Sequence, residues 1–166
     1  SKTNLDFTLG SKNITNNWNV NFGVSQAKYN WYGLPTEEYN FAGIDYENID
    51  FEQKYNDAHA SVKFENNDGA FRGVDASYKY FWDQFDSKES RFLLTPKFNI
   101  ELEKTTINVD VKADYLNTEF ADRLVTGSKN KYSYLIMAAE PSVRFFDDNF
   151  SVQLGVGLSY IKGTSN

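Results

Sequence analysis

Hydrophobic and polar residues alternate with a period of two along most of the chain. In residues 150–160 every even position is apolar or aromatic and every odd position is small or polar. Successive side chains of a β-strand point to opposite faces of a sheet, so the pattern predicts a strand with one apolar face. Strands of globular proteins usually have about five or six residues, whereas a tilted strand needs roughly nine to eleven to cross a bilayer. The stretch therefore has the length and pattern of a transmembrane barrel strand.

Seven further stretches alternate in the same way. They cover residues 3–10, 18–31, 58–65, 73–82, 94–102, 107–115 and 135–145. A one-residue slip of the pattern near Gln26 predicts a bulge, and Pro96 and Pro141 predict bulges or local breaks because proline lacks the ladder N–H. The chain is expected to be all-β, an antiparallel up-and-down transmembrane barrel of about eight strands that forms one domain over residues 1–166.

The alternation sorts the side chains into two faces with different predicted surroundings. Aliphatic and Phe side chains are predicted to face lipid: Phe22, Val74, Phe98, Ile100, Val109, Val111, Val152, Leu154 and Val156. Charged side chains at mid-strand are predicted to face a wet or ion-paired lumen: Asp6, Lys63, Glu65, Asp75, Lys79, Lys97, Glu101, Asp110, Lys112, Asp114, Glu140 and Arg144. A Lys or Arg at the bilayer midplane costs about 2–4 kcal/mol, which excludes these groups from the lipid side.

Aromatic residues and turn lengths distinguish the two ends of the strands. The turns after odd strands are short and those after even strands are longer, as in barrels with short periplasmic turns and long external loops. Aromatic side chains gather at both ends, where their polar tips suit the boundary between water and lipid. The predicted girdle residues are Trp18, Trp31, Tyr80, Trp82, Tyr115, Phe150 and Tyr160; Tyr29, Tyr55, Tyr132 and Tyr134 also lie at the long-loop end.

Composition narrows the classes of partner and chemistry. The formal net charge is −6, so we expect no nucleic-acid partner, and the absence of Cys removes any thiolate metal site. No run approaches the roughly eighteen apolar residues of a membrane helix. We expect no cofactor, no metal site and no enzymatic activity.

The order of short turns and long loops predicts where the ends of the chain lie. Both termini are expected on the long-loop side, and the chain ends at Asn166 rather than on an aromatic residue. A complete small barrel of this class has its termini in the periplasm. We therefore favour an internal section of a larger barrel over an eight-stranded barrel with unusual ends.

The chain resembles bacterial outer-membrane β-barrels, and more narrowly the barrel portion of TonB-dependent-receptor-like proteins. The resemblance rests on the strand pattern, on the hairpin Phe-Phe-Asp-Asp-Asn-Phe-Ser-Val at residues 145–152 and on Gly-Val-Gly-Leu-Ser-Tyr at 155–160. It implies passage of a substrate across the outer membrane with the help of a plug domain and an energising partner. It carries no site residue over to this chain.

Two regions are candidate sites. Residues 33–56 are predicted to form a long external loop, with or without extensions of the neighbouring strands. Its residues Tyr39, Phe41, Asp45, Tyr46, Glu47, Asp50 and Phe51 offer aromatic rings and carboxylates for a sugar or a protein partner. Its carboxylates could also ligate Ca²⁺, although the spacing of an EF-hand is missing. His59, the single histidine, could pair with Asp57 or Asp83, but a lumen histidine in a polar network is the simpler reading because no nucleophile motif accompanies it.

The pattern favours an integral protein of the bacterial outer membrane that serves substrate passage or anchors an outer-membrane complex. Its expected partners are the lipid bilayer and further barrel strands or other outer-membrane proteins. Two alternatives stay open. A soluble lipocalin-like barrel of eight strands would reverse the faces and bind an apolar ligand, and a soluble β-sandwich would serve adhesion.

Overall fold

A single antiparallel sheet makes up the part of the chain that the computed structural model describes, residues 1–30, 52–120 and 130–165. Its strands are β1 (Lys2–Lys12), β2 (Asn16–Asn30), β3 (Glu52–Asn66), β4 (Phe71–Asp83), β5 (Lys88–Leu102), β6 (Thr105–Phe120), β7 (Asn130–Asp147), β8 (Phe150–Gly155) and β9 (Leu158–Ser165). Each strand from β1 to β7 pairs with the next one along the chain, and β9 pairs with β7. The predicted all-β, up-and-down architecture is confirmed.

The sheet has two open edges in the described residues. β1 pairs only with β2, and β8 and β9 pair only with β7. Because no pairing joins β1 to β8 or β9, the sheet is not closed, and a barrel stays a prediction.

Pro141 divides the last strand in two without changing its register. Ser142 pairs with Gly155 and Ala139 with Leu158, so two residues lie between these pairs on each strand and the register is the same on both sides of the break. Between them the Val156 N–H donates to the Pro141 carbonyl at 3.1 Å, and the reciprocal bond is missing because proline has no N–H. β8 and β9 therefore form one strand with a local break, which agrees with the expected count of about eight.

Pro96 opens the ladder between β5 and β6 in the same manner. Pairing stops after Leu94 and Ala113 and resumes at Lys97 and Asp110 in an unchanged register. The sheet contains a bulge elsewhere, at Arg72 of β4, where two residues of β4 oppose one step of β5. Of the two predicted alternatives, a bulge or a local break, both prolines form local breaks.

The bulge predicted near Gln26 is wrong. β2 keeps one register with β1 from Lys2 opposite Ala27 to Lys12 opposite Asn17, and one register with β3 along its whole length. The slip in hydrophobicity arises because Ala27 and Tyr29 stand on the polar face, not because the backbone changes phase.

Two predicted connections are shorter than expected. β3 begins at Glu52, so residues 52–56 of the predicted loop 33–56 are strand; they pair with β2. The loop between β4 and β5 is a tight turn of residues 84–87, in which the Asp83 carboxylate accepts the N–H groups of Phe85 and Ser87 at 2.8 and 2.9 Å. The predicted alternation of short and long connections therefore fails after β4.

The described residues contain no buried hydrophobic side chain, so the sheet has no core of its own. The four buried residues are Gly23, Gly73, Asp114 and Thr118. The strand register places all four on the face that carries the charges. No helix of sufficient length and apolarity to cross a membrane occurs in the described ranges.

Candidate functional site on the polar face

The strand register places every predicted lumen residue on one face of the sheet. Directly paired residues of neighbouring strands share a face, and one row contains Glu65, Gly73, Lys97, Asp110 and Glu140. Neighbouring rows contain the other predicted members: Asp6, Lys63, Asp75, Lys79, Glu101, Lys112, Asp114 and Arg144. The predicted grouping of charges is therefore present, and the assignment of this face to a lumen stays a prediction.

Short ion pairs within and between strands connect the charges near the short turns. Lys63 contacts Glu65 of the same strand at 2.6 Å, and Asn17 of β2 donates to the same carboxylate at 3.1 Å. Lys97 contacts Asp75 at 3.2 Å. At the bulge, Arg72 reaches Glu101 at 2.5 Å. Because these side chains remain partly exposed, each pair contributes little to stability by itself.

The Arg91–Asp114 pair is the most enclosed ionic contact described on this face. The Arg91 Nε and Nη2 atoms donate to the two carboxylate oxygens of Asp114 at 2.9 and 2.7 Å, a bidentate geometry. Asp114 is 1% exposed, and Lys112 lies 3.8 Å from it. β5 and β6 position the pair, since Asp114 stands directly opposite Leu93 and one row from Arg91. The guanidinium lets the buried carboxylate stay ionised.

His59 lies among oxygens of three strands. Its Nε2 atom is 3.2 Å from Asp6 Oδ1 and 3.1 Å from Asn21 Oδ1, and its Nδ1 atom is 3.9 Å from Asp57 Oδ2. The Ser25 hydroxyl donates to Asp57 rather than to the imidazole. This group is a polar network without a nucleophile hydrogen-bonded to a base. Of the two predicted acids, Asp57 is near, whereas Asp83 caps the β4–β5 turn.

Gly23 makes room for this histidine. A Cβ atom at Gly23 would lie 2.3 Å from Asp6 Oδ1 and 2.7 Å from His59 Cε1. On the polar face of β2, Gly23 stands between Asn21 and Ser25. A glycine inside a strand is the sequence signal for such a close approach.

Aromatic residues occur on both faces at the long-loop end, contrary to the expectation that they form only a girdle. Tyr29, Tyr55, Tyr132 and Tyr134 stand on the polar face, as do Phe81 and Phe120. The Tyr55 ring lies 5.8 Å from Tyr29 and 5.9 Å from Phe81, measured between centroids. Phe120 and Tyr132 meet edge to face at 6.2 Å. The sequence pattern missed Tyr29 because the slip at Gln26 was interpreted as a bulge, and it missed Tyr55 because residues 33–56 were assigned to a loop.

The opposite face carries the predicted lipid-facing residues. The register brings together Phe22, Val74, Phe98, Ile100, Val109, Val111, Val152, Leu154 and Val156, with Val156 at the Pro141 break. Of the predicted girdle, Trp18 and Phe150 lie near the short turns and Tyr80, Trp82 and Tyr115 nearer the long loops. Tyr160 pairs with Met137, further from the long-loop end. Trp31 lies outside the described residues.

The external-loop candidates cannot be placed. Tyr39, Phe41, Asp45, Tyr46, Glu47, Asp50 and Phe51 all lie outside the described residues. Within the described ranges, no three His, Asp or Glu side chains are grouped in a way that could hold a metal ion.

Comparisons of the chain with protein-family models, curated proteins and solved structures give no match.

Proposed function

We propose that the chain is part of an integral β-barrel of the bacterial outer membrane, with the charged face enclosed and the apolar face against lipid. The observation that carries the proposal is the inverted burial: the four buried residues belong to the charged face, and no hydrophobic side chain of the described part is buried. A water-soluble barrel such as a lipocalin-like one buries its apolar face instead. In bilayer-spanning barrels the apolar residues point outward and the interior is polar.

The proposal assigns lipid to the exposed apolar face. Leu154 is 65% exposed, Val152 47% and Ile100 44%, and all three point to the same side of the sheet. Monomeric soluble proteins rarely expose contiguous apolar patches larger than a few hundred Å². A face of this kind along strands of 11–18 residues matches a band that hydrocarbon covers.

The open edges support further strands as partners. An unpaired edge leaves a row of N–H and C=O groups without partners, and a bilayer offers no water to satisfy them. β1 and the combined β8–β9 strand would each pair with an additional strand, from the same protein or from another outer-membrane protein. The barrel would then serve substrate passage or anchor a complex.

The assignment of faces can be tested with tryptophan fluorescence. In a background with Trp18, Trp31 and Trp82 replaced by Phe, we would introduce Val111→Trp or Lys112→Trp, which are neighbours on β6 with opposite facing. The protein is reconstituted into vesicles of phosphatidylcholine brominated on its acyl chains. We expect strong quenching of the tryptophan at 111 and weak quenching at 112.

Two results would contradict the proposal. One is quenching at 112 rather than at 111, which would place the charged face against lipid. The other is a monodisperse monomer that stays in aqueous buffer without detergent and binds no vesicles, which would favour the soluble lipocalin-like barrel.

A further inference from the structure

Three aromatic side chains form a continuous surface on the charged face, which we name the inner aromatic strip: Tyr29, Tyr55 and Phe81. The Tyr55 ring stacks on Phe81 with an interplanar angle of 24° and meets Tyr29 at 60°. Tyr29 is 57% exposed. No second layer covers this face in the described residues.

Hydrogen-bonding groups surround the strip. The Tyr55 hydroxyl donates to the Gln53 amide oxygen. Beside Phe81, an open depression of about 310 Å³ is lined by side chains of both charge signs, including Asp57, Lys79 and Glu89. Binding sites for small ligands usually combine aromatic surface with a few well-placed polar groups. Here the two kinds of group lie side by side on four consecutive strands, β2 to β5.

A second aromatic contact continues the surface across the sheet. Phe81, Glu89, Thr118 and Tyr132 occupy one row on β4 to β7, and Tyr132 contacts Phe120. Strands lie about 4.8 Å apart, so Phe81 and Tyr132 are separated by roughly 14 Å. The Glu89 carboxylate and the Thr118 hydroxyl, 3.3 Å apart, stand between the two aromatic groups.

This arrangement selects for a ligand with apolar faces and hydroxyl edges. Carboxylates among the rings disfavour a purely apolar ligand, because burying an uncompensated charge against it is costly. The same carboxylates and the net charge of −6 disfavour anionic ligands, including nucleic acids. A pyranose ring presents C–H groups on its faces and hydroxyls on its rim, and it satisfies both requirements.

We infer that the inner aromatic strip binds a neutral oligosaccharide, with sugar rings stacked on Tyr55 and Phe81 and hydroxyls bonded to Asp57 and Glu89. The inference rests on the proposed function, in which this face lines the lumen, and it names the class of substrate that the lumen takes. Tyr132 and Phe120 would contact a further sugar unit of the same chain.

The test is calorimetric titration of the full chain in detergent micelles with maltotriose, cellotriose and chitotriose as probes. We expect at least one of the three to bind, and Tyr55→Leu and Phe81→Leu to weaken that binding about tenfold each through loss of ring contact. Phe81→Tyr keeps the ring and should retain binding. Tyr78→Leu is the matched control, since Tyr78 lies on the same strand but on the apolar face.

The site is refuted if none of the three sugars binds, or if Tyr78→Leu weakens binding as much as Phe81→Leu. Fluorescence quenching in brominated vesicles is measured in parallel on the Val111→Trp protein, in which the inner aromatic strip is intact. Intact quenching without sugar binding overturns the site alone, whereas lost quenching overturns the proposed membrane function.

Discussion

At the scale of single residues, the polar face has two kinds of constrained position. One is a charged side chain that needs an ionic partner, and the other is a backbone position that needs glycine. Asp114 is enclosed and depends on a guanidinium that is itself half exposed. Gly73 follows the Arg72 bulge with φ of 151° and lies against the backbone of β3.

Replacing Arg91 by Met should lower the free energy of unfolding by about 2 kcal/mol. The variant leaves the enclosed Asp114 carboxylate with only Lys112 nearby, and an unpaired charge away from water is costly; the figure is modest because Arg91 is half exposed. Urea titration in lipid vesicles measures the change. Lys104→Met, which removes an exposed 3.0 Å pair with Asp147, should change stability by less than about 0.5 kcal/mol. Equal effects of the two variants would contradict the expected role of Arg91.

Gly73→Ala should destabilise the protein by at least about 2 kcal/mol. The added Cβ would lie 2.3 Å from the Phe64 carbonyl oxygen, which is backbone and cannot rotate away, and the φ value suits only glycine. Gly157→Ala serves as the control, because nothing lies within 4 Å of its added Cβ. The same urea titration compares them, and a Gly73→Ala variant as stable as Gly157→Ala would show that β4 can shift without cost.

At the scale of elements, period-two reading located the strands and their faces correctly wherever the alternation was unbroken. Directly paired residues of neighbouring strands share a face, so the alternation alone was enough to assign Val109 and Asp110 to opposite faces. The reading failed at Ala27 and Tyr29, where an aromatic on the polar face imitates a change of phase. It also missed Arg91, because the regular pattern of that strand starts at Leu94 whereas β5 begins at Lys88. The Arg72 bulge could not be predicted from the alternation, because the alternating stretch of that strand begins at residue 73.

Pro141→Val should join β8 and β9. The new N–H at position 141 faces the Val156 carbonyl and completes the pair of bonds that the Val156 N–H now makes alone. We expect slower hydrogen exchange at residues 156–158 and a gain of about 0.5–1.5 kcal/mol in stability. Pro96→Val is the control, since it acts on the β5–β6 ladder and should leave exchange in β8 and β9 unchanged. Unaltered exchange in the Pro141→Val variant would mean that the break has another cause.

At the scale of the whole molecule, the proposed function gives the two faces of the sheet different surroundings, with lipid on the apolar face and water on the charged face. The stability of the sheet then depends on what lies on each side, since burial of apolar side chains within the described residues is absent. A neighbouring pair on β4, Ala76 and Ser77, places substitutions on the two sides at the same depth.

Ala76→Arg should reduce the free energy of folding into vesicles by about 2–4 kcal/mol, because the charge would enter hydrocarbon near mid-strand. Ser77→Arg, on the charged face, should have a far smaller effect. Folding is followed by the change in far-ultraviolet circular dichroism during urea titration with phospholipid vesicles. A larger penalty for Ser77→Arg than for Ala76→Arg would reverse the assignment of faces.

The up-and-down order has a consequence for the size of the assembly. β1 and the combined β8–β9 strand are antiparallel to each other, so both open edges accept a hairpin without disturbing the alternation of faces between them. In the proposed barrel, the circumference would therefore increase by two strands at a time while the ionic network and the inner aromatic strip keep their internal spacing. Added hairpins would widen the proposed lumen and leave this part of its surface unchanged.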